Sequence, residues 1–212
     1  MLSGVMLAMA LLLPDSSNPI QDAVNYYQQV DTYQATIKSS SEGQSNKPDI
    51  IRYYYKKPGY VRMELIASKF NGAVLIYSPV TEQVKLWPLG YGNFPSFSLS
   101  PENKLIQSTS GQRIDRSDLG ALYQNVMLLQ SRGKTTMIGP ESIAGQAALH
   151  LAVEAEHGFS VNGVSRFQLW LDVTAGFPLK VMSYRSDGGL IELVEISDYQ
   201  INPIFSPGFF DQ

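Results

Sequence analysis

The chain has no cysteine among its 212 residues and only two histidines. Without a thiol there is no disulfide framework, no thiolate metal site and no cysteine nucleophile, and no acylated cysteine that would make this chain a lipoprotein itself. His150 falls on the polar side of an alternating segment and His157 in the loop EHGFSVNG, so both are expected at the polar surface rather than on a metal. Glu154 and Glu156 share the side of His150, as solvated strand charges would. Cations are few: 16 Lys and Arg stand against 19 Asp and Glu, for a net charge of −3. That balance lacks the basic stripe of a nucleic-acid-binding surface. Neither G-x-S-x-G nor G-x-x-x-x-G-K-[ST] occurs. Asp115 and Asp118 sit where a helix begins, a position that favours negative charge without any catalytic role. No catalytic group, metal or cofactor is expected.

Long apolar runs are also scarce. The one at residues 4–13, GVMLAMALLL, stops at Pro14 and Asp15, short of the about 20 residues a membrane span needs. It is read as a signal peptide or its remnant within an N-terminal apolar segment, residues 1–17, which places the protein in the periplasm or otherwise outside the cytoplasm. No Lys or Arg precedes it, since Lys38 is the first cation, and Ala8-Met9-Ala10 lies inside the run. A buried helix and an uncleaved anchor are the alternatives.

What is present is apolar and periodic. Hydrophobic residues make up 44% of the chain and charged residues 17%, enough for a core, and residues 18–212 are read as one domain. Ile20, Ala23, Val24, Tyr27 and Val30 recur at helical spacing behind Asn18-Pro19, a cap followed by a first-turn proline. The period then falls to two, with Tyr33, Ala35 and Ile37 on one side of a strand. YYYKKPGYVRMEL, residues 53–65, reads as a hairpin. Tyr53, Tyr55 and Lys57 share a face before the Pro58-Gly59 turn, and Val61, Met63 and Leu65 share one after it. Arg62 and Glu64 point the other way, and Arg62 is expected to be dispensable. GAVLIYS, residues 72–78, is apolar on both faces and reads as a central strand.

Residues 88–114 break the pattern, being rich in Gly, Pro and Ser and carrying Tyr91, Phe94 and Phe97. A stretch this long is either a lid or binding loop, or a surface insertion. A second helix is expected over 117–131, capped by Ser117 and stopped by Gly133. Strands follow at AALHLAVEAE, at RFQLWLDV with Phe167, Leu169 and Leu171 on one side, and in a hairpin through Asp187-Gly188-Gly189. Two helices cannot cover about ten strands laid flat, and a sheet of that length curls. The expected architecture is α+β and mostly β: a half-open antiparallel barrel with two helices and the long loop over its concave face.

In that order and spacing the segments resemble the LolA-like family of periplasmic carriers that move lipoproteins to the outer membrane. The similar pieces are VDTYQATIK, the YYYKKPGYVRMEL hairpin, GAVLIYSPVTEQVKLW and FQLWLDVTAGFPLKVMSYRSDGG, covering most of residues 20–200. Within them Lys57-Pro58, Gly72, Tyr77, Pro79 and Glu82-Gln83 match the family pattern. The resemblance implies a LolA-like half-barrel over 18–212 that binds acyl chains of lipoproteins or lipids without covalent chemistry. Its wall would include Tyr53, Tyr55, Val61, Met63, Leu65, Leu75, Phe167 and Leu169. Lys57 would stand at the rim, where the carriers use an arginine to hold the lid, and Tyr91, Phe94 and Phe97 would belong to the lid. Lysine lacks the planar fork of that arginine. The implied partners are acyl chains, a membrane lipoprotein-release transporter and an outer-membrane receptor, with the protein itself a monomer. Relatives of the same fold serve instead as envelope-stress sensors, so an interaction module with a self-filled interior is the alternative function.

Overall fold

The computed structural model describes residues 18–42 and 47–212. The expectation for residues 1–17 lies outside the described residues. Helix α1, Pro19–Tyr27, begins as its sequence dictates: Asn18 accepts a hydrogen bond from the amide of Gln21, and Pro19 fills the first turn, where a missing N–H costs nothing. Strands β1 (Thr32–Ser41), β2 (Asp49–Lys56), β3 (Tyr60–Ala67), β4 (Val74–Ser78), β5 (Gln83–Trp87) and β6 (Phe97–Leu99) follow. A 3₁₀ turn at Ile114–Arg116 leads into α2 (Leu119–Ser131). The chain then returns through β7 (Gly133–Ile143), β8 (Gln146–Ala155), β9 (Arg166–Asp172), β10 (Pro178–Tyr184) and β11 (Leu190–Ile201).

All eleven strands form one antiparallel sheet in the order β6-β5-β4-β3-β2-β1-β11-β10-β9-β8-β7, and it does not close. This is the mostly-β, half-open architecture expected, with eleven strands in place of about ten. The order explains the lid. The first six strands walk outward from the centre to one edge. The chain crosses the inner face through residues 100–131, starts again at the opposite edge with β7, and walks back until β11 pairs with β1. The loop and α2 must therefore span the inner face.

The pairing register carries the apolar period from strand to strand. Tyr33 faces Tyr55, Ala35 faces Tyr53, Tyr53 faces Met63, and Met63 faces Leu75. Directly opposed residues share a face, so one row of large side chains crosses the inner surface. The main core lies between that surface and the two helices; its buried members include Ile20, Tyr33, Tyr53, Val126, Leu151 and Leu169. Gly176 permits the close approach of α1, because a Cβ there would stand 2.9 Å from the Ala23 Cα. Its left-handed backbone, φ 60°, suits glycine as well.

Two local expectations change. Asp118, rather than Ser117, caps α2, accepting from the amides of Gly120 and Ala121 at 2.7 and 3.3 Å. Gly133 opens β7 rather than merely ending α2. β7 and β6 leave little apolar alternation because they are the sheet edges. β6 has three residues, and β7 is mostly exposed and interrupted by a register shift between Met137 and Gly139 beside Pro140. Short, bulged, proline-bearing edges resist pairing with other chains.

Candidate functional site, an apolar cavity under the lid

A cavity of about 840 Å³ lies between the inner face of the sheet and the crossing segment. Its sheet wall is made by Ile37, Ile51, Tyr53, Met63, Leu65 and Leu75, continued across β9 and β10 by Phe167 and Val181. Leu105, Ile106 and Ile114 of the crossing loop and Leu119 and Leu122 of α2 form the opposite wall.

Of the residues expected in the wall, Tyr53, Met63, Leu65, Leu75 and Phe167 line the cavity. Tyr55, Val61 and Leu169 share that face but are packed into the core beyond the cavity's closed end. Tyr33, Ile37 and Val181 are lining residues that the expectation left out. The signal for the first two was the alternation of β1 itself.

The closed end is a pile of tyrosines. Tyr33 stacks on Tyr53 and Tyr55 at ring separations of 5.8 and 5.0 Å, and Tyr27 packs against Tyr55 and Tyr123 at 6.3 and 5.9 Å. Such pairs add ~0.5–1.5 kcal/mol each beyond their burial. Their hydroxyls tie the sheet to the lid. Tyr33 Oη accepts from the amide of Leu119 at 3.1 Å, and Tyr27 donates to Asp118 Oδ1 at 3.1 Å. Ser117 spends its proton on the Ile114 carbonyl at 2.7 Å, so Tyr53 is the donor in the 3.0 Å bond between their hydroxyls. Tyr123 donates to the Gly176 carbonyl at 2.8 Å. Burial holds the hydroxyls of Tyr27, Tyr33, Tyr53 and Tyr123 well above the ordinary tyrosine range, so the pile stays neutral.

Lys57 is not a free rim cation. Its Nζ donates to the Gln28 carbonyl at the end of α1 at 2.7 Å, with Asp31 at 3.6 Å. A lysine here makes one such bond, to one carbonyl. The other end of α1 is held by Asn18, which exchanges hydrogen bonds of 3.5 and 3.3 Å with Gln130 of α2.

The three aromatics of the long loop do not lie over the cavity. Tyr91 packs on Trp87 at 4.9 Å on the outer face, Phe94 is 90% exposed, and Phe97 sits half-exposed on the β6 edge opposite Leu86. None of them lines the cavity, which is covered by the later half of the loop, from Leu105 to Ile114. The loop divides because Pro88-Leu89-Gly90 turns it outward past β5, and β6 then brings it back.

Arg62 is the larger surprise. It is 8% exposed on the outer face. Its guanidinium bonds Glu64 Oε1 through Nε and Nη2 at 3.1 and 2.8 Å and the Phe209 carbonyl through Nη1 at 3.0 Å. It lies 4.6 Å from the centre of the Tyr91 ring and 4.4 Å from that of Phe209. The C-terminal segment seals this region: Phe205, Phe209 and Phe210 pack over Tyr54, Tyr60, Val74, Ile76 and Trp87. His150 is likewise buried rather than at the surface. It stacks on Trp170 at 3.9 Å, and Glu141 receives both the His150 Nδ1 contact and the Trp170 Nε1–H at 2.7 Å.

Three carboxylates line the cavity, Asp49, Asp118 and Glu192, and Glu192 stands at its polar end. Glu192 accepts from Ser39 at 2.6 Å, and burial pushes its pKa above the usual carboxylate range, assisted by the nearby Asp49. Among the described residues there is no group of three or more His, Cys, Asp or Glu placed to hold a metal ion.

No family model matches the chain, and no curated protein matches it in sequence. Solved structures do match. An uncharacterized conserved protein from Thermus thermophilus is similar at 10% identity and a TM-score of 0.55, over 92% of this chain and 94% of that one. The Mycobacterium tuberculosis lipoprotein LppX is similar at 8% identity and 0.53, over 88% and 95%. The Pseudomonas aeruginosa MucA/MucB complex is similar at 18% identity and 0.51; the match covers 92% of this chain but 61% of that one. A LolA superfamily protein from Nitrosomonas europaea also matches, at 11% identity over 91% and 97%, with a TM-score of 0.40 too low to carry weight. What these proteins share with this chain is the fold: an open, curved antiparallel sheet with helices across one face, the LolA-like fold.

Proposed function

We propose that the protein is a non-enzymatic carrier or chaperone that holds the acyl chain of a lipoprotein or lipid in the inner cavity, working in the periplasm or elsewhere outside the cytoplasm. The observation that carries this reading is the cavity of about 840 Å³ walled by Ile37, Ile51, Met63, Leu65, Leu75 and Phe167. Its size falls within the range of small-molecule sites, and its wall offers an acyl chain apolar contact over most of its surface. Each methylene transferred from water gains ~0.8 kcal/mol, so about ten buried methylenes of an acyl chain supply ~8 kcal/mol, the scale of micromolar affinity, without any covalent step. The space left under the lid counts against an interaction module whose interior is filled by its own side chains.

The fold is shared with the lipoprotein LppX and with MucB, which is found with a protein partner, so the carrier reading rests on the cavity rather than on the fold. A lipoprotein-release transporter and an outer-membrane receptor are the partners this function calls for. The test is extraction of the purified protein with organic solvent, followed by mass spectrometry and by titration of the stripped protein with a fluorescent fatty acid. Recovered acyl lipid, or saturable uptake of the probe, is the expected result. Protein that carries no lipid and takes up no probe after stripping contradicts it.

A further inference from the structure

The cavity mouth has an unusual rim. Phe70 and Leu105 both line the cavity and remain 38% and 49% exposed, so the apolar wall runs out to the surface at two points. Lys69 and Lys104 adjoin them in sequence, and Lys47 lines the same mouth. Among the described residues none of these three lysines pairs with a carboxylate, whereas neighbouring anions are engaged. Glu102 and Asp115 are held by Arg113, at 2.8 and 2.7 Å, and Glu42 by Arg185. Lys69 instead extends over the Phe70 ring, 5.1 Å from its centre. Asp49 and Glu192 lie within the lining, with Glu192 bonded to Ser39.

Unpaired cations around exposed apolar tips match the chemistry of an anionic membrane surface, where lysines meet phosphates and apolar side chains enter the acyl boundary. We propose that this rim docks the cavity mouth on the surface of an anionic bilayer, so that an acyl chain passes between membrane and cavity without crossing water. The proposal rests on the acyl-carrier reading for its purpose but not for its test. The affinity is expected to be weak and sensitive to salt, because two apolar tips and three charges make a small footprint.

The experiment is co-sedimentation of the full chain with vesicles of phosphatidylcholine alone or mixed with phosphatidylglycerol, at low and at physiological salt. Binding to the mixed vesicles that weakens as salt rises, with little binding to phosphatidylcholine alone, is expected. Each of Lys47→Glu, Lys69→Glu and Lys104→Glu is expected to weaken it by about fivefold or more. Phe70→Ser with Leu105→Ser is expected to weaken it on mixed vesicles at every salt concentration. Lys134→Glu, on the far β7 edge, is expected to change nothing. The apolar run at residues 4–13 has no charge and cannot supply a preference for anionic lipid. Soluble fatty-acid probe binding, measured in parallel, is expected to survive the three lysine changes. Its loss in the parent would count against the carrier function, not the docking surface. Equal binding to both vesicle types, no binding to either, or lysine variants that sediment as the parent does would overturn the proposal.

Discussion

Strand β3 presents two different environments one residue apart. Met63 and Leu65 face a cavity with room for a ligand, while Arg62 is sealed on the outer face beneath Tyr91, Phe209 and the rest of the C-terminal segment, paired with the half-buried Glu64. Both faces are apolar and aromatic, yet the outer one is filled here while the inner one is packed at one end and leaves a cavity at the other. The inner face is spanned by a crossing segment fixed at its ends, which leaves space beneath it. The outer face is covered by a short tail free to settle onto it, with Gln212 Nε2 donating to the Ile76 and Gln83 carbonyls at 2.9 and 2.7 Å. The difference teaches that aromatic content alone does not mark a binding wall; what covers it decides.

Charge reversal at Arg62 gives the largest expected effect on this contrast. Arg62→Glu places a second carboxylate beside Glu64 in a buried site and removes the donor to Phe209, which is expected to cost ~3–5 kcal/mol. A thermal melt should fall by about 10 °C, with probe affinity of the folded fraction unchanged. Next is the tail: Phe210→Ala is expected to cost about 3 kcal/mol by opening the outer cluster, read in the same melt and in faster hydrogen exchange of β4. If either variant loses probe binding while keeping its stability, the two faces are not independent.

A smaller effect belongs to Glu192. Its pKa is raised in the folded protein, chiefly by burial. The folded state therefore holds its proton more firmly than the unfolded chain. Stability falls as pH rises from the ordinary glutamate range through the raised value, and levels off above it. Glu192→Gln is expected to be more stable than the parent at neutral pH, with the difference shrinking as pH drops below the usual glutamate range. A melt series across pH reads this, and an unchanged or opposite trend would place Glu192 outside the apolar environment. The smallest effect is at Lys57. Its head group is partly solvated, so Lys57→Ala is expected to cost below about 1 kcal/mol, while amide exchange at the end of α1 quickens.

The fold was legible because the period-two alternation of β1–β5 and β8–β11 is carried by large side chains, and because Asn18-Pro19 and the 119–129 apolar face mark the helices. Five of the eight expected wall residues line the cavity for the same reason: alternation fixes the face. Alternation does not fix position along the strand, which is why Tyr55, Val61 and Leu169 fell in the packed end. The outer face was illegible. Arg62 reads as a solvent-facing strand charge until Tyr91 and Phe209, distant in sequence, are brought over it, and no local pattern announces that PIFSPGFFDQ folds back across four strands. His150 is the same case, its burial depending on Trp170 and Glu141 in neighbouring strands. The lid aromatics misled because exposure, rather than cavity contact, is what their Gly- and Pro-rich surroundings allowed.

The most direct test uses two neighbouring residues and one substitution. Leu65 lines the cavity, and Ile66, next to it on β3, is 51% exposed on the outer face. Titration of a fluorescent fatty acid into the stripped parent, Leu65→Glu and Ile66→Glu, each shown by melting to be folded, compares a charge in the wall with a charge outside it. The carrier account predicts a loss of about tenfold or more in affinity for Leu65→Glu, the equivalent of about two buried methylenes, and parental affinity for Ile66→Glu. Parental affinity in Leu65→Glu, or equal losses in both variants, would contradict it.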